Sequence, residues 1–375
     1  MLAQKTEKLR ILHSAALLTP SSGMVAQMDW EQEAANTLGI NWKVCMYSPK
    51  NTLSKANVIH LDTAIDAQQL LNPVSKLLAW LKLRRNYHRW LLQQQDYFDI
   101  FLLRYYVHDP FQWAFVRSCK KPVFFVHHTL EVPELELPGG LSSFVRSNLE
   151  TLLGRVTISK AAGVIGVTQE IMDYELGRAG CLNKPSYVYP NGIVFKEMKL
   201  QDRRSTDLPE LLFVANFAAW HGLDLLLESI ARSKEKFVLH LVGEIPDSML
   251  KLTHDPRIKV HGHMNRQQIQ DISAQCWVGL ASFALFRKKM NQACPLKVRE
   301  YLMLGLPVYG DTKDVFPEGA VFFESSDRLI DGAVEFAKNT RNFSKDYLAS
   351  EAKKYIDKEE LLLNMYNYLR NFLNA

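Results

Sequence analysis

Short apolar stretches alternate with helical stretches along this chain, and this alternation restricts the possible folds more than any other feature. Residues 8–47 predict a strand, a loop of small residues, a helix and a second strand. A similar series begins again at 211–216, a strand that is followed by a helix opening at Trp220. Strands that alternate with helices form parallel sheets covered on both faces. We therefore predict an α/β protein with two doubly wound, Rossmann-like domains.

The length also favours two domains, because 375 residues exceed one typical domain. We predict a first domain over residues 1–194 and a second over 210–355. Residues 195–209 are polar and lack periodicity, which is typical of a linker. Residues 356–375 are rich in leucine and tyrosine and predict a final helix that returns to the first domain.

Composition excludes several kinds of protein. The five cysteines are scattered without a C-x-x-C pair, which argues against a zinc site or a disulfide framework. The net charge of +5 is too small to indicate nucleic-acid binding. The first ten residues are polar, so we expect no signal peptide. No apolar run reaches the roughly 18–20 residues of a membrane-spanning helix, and we expect a cytoplasmic protein.

The segment 73–92 predicts a basic amphipathic helix without acidic residues. Such a helix suits the surface of an anionic membrane, here the inner face of the plasma membrane. The alternative is a solvated helix that covers the sheet. The predicted membrane contacts are Lys76, Trp80, Lys82, Arg84, Arg85, Arg89 and Trp90.

Polar side chains follow two predicted strands of the first domain. Arg104 ends one strand, and His127 and His128 lie where the next strand ends, shortly before Glu131. Ligands of open α/β sheets bind at the carboxyl ends of the strands. Adjacent side chains of a strand point to opposite faces, so at most one histidine serves a given site. We predict one catalytic or substrate-binding histidine, with a satisfied structural histidine as the alternative.

Residues 295–309 predict a loop, a short helix and a buried strand. Lys297 and Glu300 are three residues apart and both fall on the first helical turn. A helix N-terminus with a lysine suits a phosphate, and a carboxylate can accept two ribose hydroxyls. The alternative is an ordinary surface pair of opposite charges.

The order of these segments resembles a retaining GT-B glycosyltransferase of the bacterial group 1 type, in a variant with the pattern P-L-K-x-x-E-Y. The resemblance covers nearly the whole chain. It implies two domains that face each other across a cleft, a nucleotide sugar as co-substrate, and no metal or cofactor. The segments that carry it are Gly23, 127–129 with Glu131 and Glu134, 190–192, 220–224, 242–243, 261–263 and 295–308.

By this resemblance, Glu300 binds the donor ribose and Lys297 stabilises the leaving diphosphate. Gly23 approaches the diphosphate from the first domain. His128 or His127 contacts the transferred sugar or the acceptor, as do Arg104 and Glu131. The remaining donor-binding positions are Asn216, His221, Gly222, Gly243, Gln292, Pro295 and Leu296.

Three positions depart from most relatives. Gln292 replaces a glutamate near the donor sugar, and Asn216 and His221 stand where arginine and lysine are usual. Diphosphate binding then depends on Lys297, with Arg287, Lys288 and Lys289 as further candidates.

The implied activity is transfer of a sugar from a UDP- or GDP-sugar to a glycan or lipid-linked acceptor, in synthesis of cell-surface polysaccharide. The alternatives are a GT-B epimerase or phosphorylase, and a non-catalytic protein that binds sugar nucleotides.

Overall fold

A computed structural model describes residues 9–48, 59–62, 72–195 and 200–375, and the chain divides into two compact units. The first unit comprises Met1–Pro190 and Lys358–Ala375, and the second comprises Asn191–Asp357. The division therefore precedes the predicted linker. Residues 196–199 lie outside the described residues, and the rest of that segment packs on the second unit. There, buried Arg204 donates hydrogen bonds to the carbonyls of Arg341 at 3.2 Å and Phe343 at 2.9 Å.

The first unit is a parallel sheet with helices on both faces. In the described residues its strand order is β3-β2-β1-β4-β5-β6-β7. The strands are β1 Ile11–Ala16, β2 Trp42–Ser48, β3 Ile59–Asp62, β4 Ile100–Arg104, β5 Val123–His127, β6 Gly163–Gly166 and β7 Ser186–Val188. The helices are α1 Ser22–Leu38, α2 Pro73–Gln93, α3 Pro110–Ser118, α4 Glu131–Glu136, α5 Gly140–Lys160, α6 Gln169–Ala179 and, from the end of the chain, α12 Lys358–Asn374.

Apolar side chains on both faces of this sheet explain its two helical layers. The central strands are almost entirely buried, as expected for a parallel sheet. On one face, Leu362 and Leu369 of α12 pack with Met28 of α1 against the sheet. On the other face, Leu83 of α2 and Phe115 of α3 belong to a second core cluster.

The second unit repeats this architecture with a smaller sheet. Its strand order is β10-β9-β8-β11-β12-β13, again parallel throughout the described pairs. The strands are β8 Glu210–Val214, β9 Val238–Val242, β10 Ile258–Val260, β11 Val278–Leu280, β12 Val308–Gly310 and β13 Phe323–Ser325. The helices are α7 Leu223–Arg232, α8 Arg266–Ser273, α9 Leu296–Met303, α10 Leu329–Thr340 and α11 Lys345–Ile356.

Each sheet reverses its strand order at one place, between β1 and β4 in the first unit and between β8 and β11 in the second. Loops that follow the two strands at such a switch point leave in opposite directions and open a crevice at the carboxyl ends of the strands. We therefore expect ligands to bind at the two switch points.

Candidate functional site

A cavity of about 740 Å³ lies in the first unit, at the carboxyl ends of β1, β4 and β5. We call it the β4 recess. Its position is the switch point of the first sheet. Its polar lining is Arg104, Tyr105, Tyr106, His108, His128, Thr129, Glu131, Glu134 and Arg146, and its apolar lining includes Leu17, Leu77 and Trp80.

The two adjacent histidines go to different places. His128 lines the β4 recess, whereas His127 is fully buried and its ring stacks on Tyr105 with centroids 4.4 Å apart. The Nδ1 atom of His127 lies 3.4 Å from carboxylate oxygens of both Glu131 and Glu175, without hydrogen-bond geometry. Burial lowers the pKa of His127 to about 4 and places that of His128 well below its usual value. Of the two, only His128 is placed to touch a ligand in the recess, and it does so as a neutral imidazole.

The other predicted acceptor-side residues meet His128 in the recess. Arg104 is the last residue of β4, and Glu131 is the first residue of α4. Burial raises the pKa of Glu131 to about 8, which keeps this carboxyl protonated at neutral pH. Glu131 can therefore donate a hydrogen bond to a ligand.

A buried ionic network holds the walls of the recess in place. The Tyr105 hydroxyl donates a 2.6 Å hydrogen bond to Glu150, and the backbone N–H of His108 donates to the other oxygen of Glu150 at 2.8 Å. Arg178 joins Glu150 at 3.0 Å and Glu175 at 2.6 Å. These bonds tie β4 to α5 and α6, so the end of β4 that carries Arg104 is rigidly placed.

The second candidate site lies at the N-terminus of α9 in the second unit. Pro295 precedes the helix, and no side chain caps the first helical N–H groups. The Nζ atom of Lys297 is buried and has no hydrogen-bond partner within the described part of the chain. It lies 4.6 Å from the ring centroid of Phe213, on β8. Burial lowers the pKa of Lys297 to about 7, because the charged amine loses its hydration.

Glu300 and Lys297 do not form the surface pair that was the alternative interpretation. Glu300 is exposed, although crowding by neighbouring atoms still raises its pKa and Arg266 opposes the rise. The carboxylate is therefore accessible to a ligand near the end of α9. Gln292 lies shortly before this helix, where it forms an isolated parallel bridge with Lys313.

The loop after β8 supplies no second cation close to Lys297. Asn216 is exposed, and Nδ1 of His221 accepts a 3.0 Å hydrogen bond from the N–H of Ala218. Burial, reinforced by the charge of Lys297, lowers the pKa of His221 to about 4. His221 is therefore neutral at physiological pH, and Lys297 is the group of this site that can carry a positive charge when an anion binds.

Backbone geometry requires glycine at two of the predicted donor-binding positions, Gly222 and Gly243. Gly222 has φ 70°, and a Cβ there would lie 2.8 Å from the backbone of Phe283. A Cβ at Gly243 would lie 1.9 Å from the carbonyl oxygen of Ala215. Any side chain at either position would displace the loops that follow β8 and β9.

The nearby cation Arg287 is already paired. Its guanidinium makes two hydrogen bonds to the carboxylate of Asp224, at 3.0 and 2.6 Å, and one to the carbonyl of Ala219 at 2.7 Å. Lys288 lies 4.9 Å from the ring centroid of Trp220. Arg287 is thus committed to fixing the loop before α7.

The chain is similar to known proteins in both sequence and fold. Residues 208–338 match the sequence model of a family described as glycosyl transferases group 1. Similar solved structures include the lipopolysaccharide outer core galactosyltransferase WaaB, at 13% identity and TM-score 0.67, with 96% of this chain and 99% of that chain covered. A sucrose-phosphate synthase from Thermosynechococcus elongatus is 15% identical, with TM-score 0.66 and coverage of 98% and 100%. HepE of Anabaena, solved with UDP, is 14% identical, with TM-score 0.62 and coverage of 97% and 100%.

The chain has the GT-B fold. These structures confirm the fold class predicted from the sequence, and the match over residues 208–338 confirms the resemblance to group 1 glycosyl transferases, though not the retaining variant. Among curated protein sequences, none matches the chain. The matched segment contains Lys297 and Glu300, the two donor-side candidates on α9.

The structure places Gly23 differently from the prediction made from the sequence. It was expected in a loop, but α1 begins at Ser22 and Gly23 lies in its first turn. The helix starts early because the hydroxyl of Ser21 caps the N–H of Met24 at 3.4 Å. Gly23 therefore lies at a helix N-terminus and not in the preceding loop, and its approach to a diphosphate stays a prediction.

The helix predicted to contact a membrane is present as α2, but not all of the side chains predicted to face the membrane are exposed. Lys76, Lys82, Arg85 and Arg89 of α2 are exposed. Arg84 is buried and forms a 2.5 Å ion pair with Asp109. Half-buried Trp90 packs against Tyr87 at the edge of the core, and Trp80 lines the β4 recess. The assignment of Arg84 to a membrane surface is therefore wrong, whereas membrane contact by the half-buried Trp80 and Trp90 stays a prediction.

A large apolar surface on α5 was not predicted. Six side chains along one side of this helix are exposed, with values of 80% for Leu141 and 71% for Leu152. Their spacing follows the helical repeat, which is the signal that sequence inspection could have used. The full set is Leu141, Phe144, Val145, Leu149, Leu152 and Val156. No helix among the described residues is long and apolar enough to cross a bilayer.

Proposed function

We propose that this chain transfers a sugar from a nucleotide diphosphate sugar to an acceptor hydroxyl, with retention of anomeric configuration and without a metal. The observation that carries this proposal is the buried, unpartnered amine of Lys297 at the N-terminus of α9, inside the segment 208–338 that matches group 1 glycosyl transferases. An amine without an acceptor is costly in a protein interior unless an anion occupies the site. A diphosphate is such an anion.

The donor side needs few groups. Lys297 and the free N–H groups of α9 stabilise the negative charge that grows on the diphosphate as the bond to the sugar breaks. Glu300 accepts hydrogen bonds from the ribose hydroxyls. A phosphate oxygen of the leaving group takes the proton of the attacking hydroxyl, so the mechanism requires no strong protein base. HepE was solved with UDP and with UDP-glucose, which supports a UDP-sugar as donor.

The acceptor side is the β4 recess. His128 is neutral there and can orient a sugar or acceptor hydroxyl by accepting its hydrogen bond. The apolar lining at Leu77 and Trp80 suits a sugar ring or the start of a lipid. We expect a glycan or lipid-linked acceptor in the synthesis of cell-surface polysaccharide. The description of WaaB as a lipopolysaccharide outer core galactosyltransferase supports this expectation.

We further propose that the chain works in the cytoplasm, on an anionic membrane that supplies the acceptor. The membrane face would combine the exposed cations of α2 with the apolar side of α5. The exposed charged residues of α5, Arg146, Arg155 and Lys160, are all cations, because its one acid, Glu150, is buried. An apolar stripe flanked by cations favours anionic lipid.

The direct test is product analysis with UDP- and GDP-sugars, with and without glycan acceptors, in the presence of EDTA. A transferase gives a new glycoside whose anomeric proton coupling matches that of the donor. A change in the sugar of the intact nucleotide would indicate an epimerase instead. Phosphate-dependent formation of a sugar phosphate would indicate a phosphorylase, and nucleotide binding without any turnover would indicate a non-catalytic protein.

The assignment of Glu300 makes a separate prediction. Replacing Glu300 by Gln removes a charged acceptor from the ribose hydroxyls, which is worth about 1.5–3 kcal/mol. We expect the donor KM to rise about tenfold or more, with kcat much less affected. Glu318→Gln, at an exposed site of the same unit, is the matched control. A donor KM equal to that of the wild type in Glu300→Gln would remove Glu300 from the donor site.

A further inference from the structure

The β4 recess contains an arginine whose charge its surroundings do not neutralise. Arg104 lines the recess at the end of β4. Among the residues that the structure describes, no carboxylate lies within ion-pair distance of its guanidinium, and no hydrogen bond from it is formed. An arginine that is partly removed from water is normally paired, since its desolvation is otherwise uncompensated.

The titratable neighbours of Arg104 leave the recess positive. Glu131 and Glu134 face the same cavity at longer range, and burial keeps Glu131 protonated at neutral pH. His128 is neutral, and Nε2 of His108 donates a 2.7 Å hydrogen bond to the carbonyl of Arg146. The side chain of Arg146 adds a second cation, so Glu134 is the only acid of the described lining that remains to oppose two arginines.

We propose that the acceptor carries an anionic group, a carboxylate or a phosphate, and that Arg104 binds it in the β4 recess. The inference rests on the proposed function, because it takes the recess as the acceptor side. A guanidinium presents two parallel N–H donors that match both oxygens of such a group. The protonated carboxyl of Glu131 supplies a further donor, while His128 remains available to the reacting hydroxyl.

The rest of the lining limits what else such an acceptor contains. Leu17, Leu77 and Trp80 offer apolar contact beside the charged end of the recess. An acidic sugar, or a sugar phosphate joined to a lipid, would place its anion on Arg104 and its ring on the apolar wall. A neutral sugar would leave the guanidinium without a partner.

The test measures binding of three probes to the full-length wild type at pH 7 by saturation-transfer NMR titration. The probes are glucuronate, glucose 6-phosphate and glucose. We expect one or both anions to bind at least about tenfold more tightly than glucose, as a charge-assisted hydrogen bond predicts. Preference for glucuronate identifies a carboxylate acceptor, and preference for glucose 6-phosphate identifies a phosphate acceptor.

Arg104→Met should abolish the advantage of the anions over glucose, whereas Arg117→Met should not. Arg117 is a control in the same unit, packed on Trp113 with its guanidinium 4.6 Å from the ring centroid. Equal binding of all three probes to the wild type would overturn the inference, whether or not Arg104→Met folds. An anion advantage that survives in a folded Arg104→Met would also overturn it.

UDP binding, measured on the same samples, separates this inference from the proposed function. Bound UDP with no preference for anionic sugars contradicts the anionic acceptor alone. Preference for anionic sugars without any UDP or GDP binding supports the role of Arg104 and contradicts the proposed donor.

Discussion

A lysine with a buried amine and no acceptor is uncommon in folded proteins, because the charged form loses its hydration. The Nζ atom of Lys297 is buried over the ring of Phe213, and this burial lowers its pKa to about 7. An anion at this position would restore the charged state. The perturbed lysine therefore indicates a ligand site, and its location at a helix N-terminus indicates a phosphate.

The titration of Lys297 gives a prediction about pH. Its folded pKa of about 7 lies below its ordinary value of 10.5, so above pH 7 the free protein must take up a proton to bind an anion there. UDP affinity should fall by up to about tenfold per pH unit from pH 7 to 9, where the phosphates of UDP no longer titrate. Calorimetric titration of wild type and Lys297→Met measures this dependence. The variant should bind weakly with a flat profile, and a steep profile in the variant would contradict the role of Lys297.

The lowered pKa of Lys297 also makes the stability of the fold depend on pH. Between pH 7 and 10.5 the unfolded chain binds more protons at Lys297 than the folded chain, so this residue favours folding more as the pH rises through that window.

Single residues show what sequence could and could not predict about the site. The three-residue spacing of Lys297 and Glu300 predicted one helical turn, and α9 begins at Leu296. The spacing could not predict that Lys297 is buried and Glu300 exposed, because Phe213 comes from a distant strand. The strand pleat predicted that His127 and His128 diverge, but only the packing of Tyr105 shows which one is buried.

Helix α9 is held in place by a buried ion pair on the side away from solvent. Arg299 is fully buried and makes two hydrogen bonds to Asp314, at 2.5 and 2.6 Å. Its Nε donates to the carbonyl of Asn191 at 3.0 Å. These contacts fix the helix whose N-terminus presents Lys297.

Removing this pair tests the support of α9. Arg299→Met leaves Asp314 buried and unpaired, and should lower the free energy of unfolding by about 3–5 kcal/mol. The double variant Arg299→Met with Asp314→Leu should cost less than the single variant, since no buried charge then remains. Urea denaturation measures both. A single variant within about 0.5 kcal/mol of wild type would show that the pair does not hold α9.

The exposed side of α5 makes a prediction at the scale of a helix. Flotation with phosphatidylglycerol vesicles should recover the wild type, and flotation with phosphatidylcholine vesicles should recover much less. Leu141→Glu with Val145→Glu should abolish flotation, because two charges enter the apolar side of α5.

Leu182→Glu is the control, since Leu182 is 72% exposed in the same unit but outside α5. Flotation that is indifferent to lipid charge, or that survives in the α5 double variant, would exclude this surface as the membrane face.

The helices also show the limits of periodicity. The pattern of 73–92 predicted α2 within a residue at either end. It did not predict that Arg84 turns inward, because its partner Asp109 lies in a loop that follows another strand. The sequence prediction followed the basic residues of α2 and overlooked α5. The apolar residues of α5 recur at helical spacing, but the spacing alone does not show whether that side of the helix is exposed or buried.

At the scale of the whole molecule, topology explains why the candidate residues gather where they do. The β4 recess lies at the switch point between β1 and β4, and Lys297 lies beside β8, at the switch point of the second sheet. The alternation of strands and helices was sufficient to predict both doubly wound domains. The boundary between the units was not predictable from polarity, because the polar residues near Arg204 are used to dock that segment on the second unit.

The proposed role of Lys297 is to bind the diphosphate of a nucleotide sugar. Its most direct test is a thermal-shift titration of wild type and Lys297→Met with UDP-, GDP- and ADP-sugars. A ligand at about one hundred times its Kd stabilises the fold by about 2.7 kcal/mol. We predict that one nucleotide series raises the Tm of the wild type by several degrees and leaves Lys297→Met almost unchanged. No shift with any nucleotide sugar, or the same shift in both proteins, would contradict diphosphate binding by Lys297.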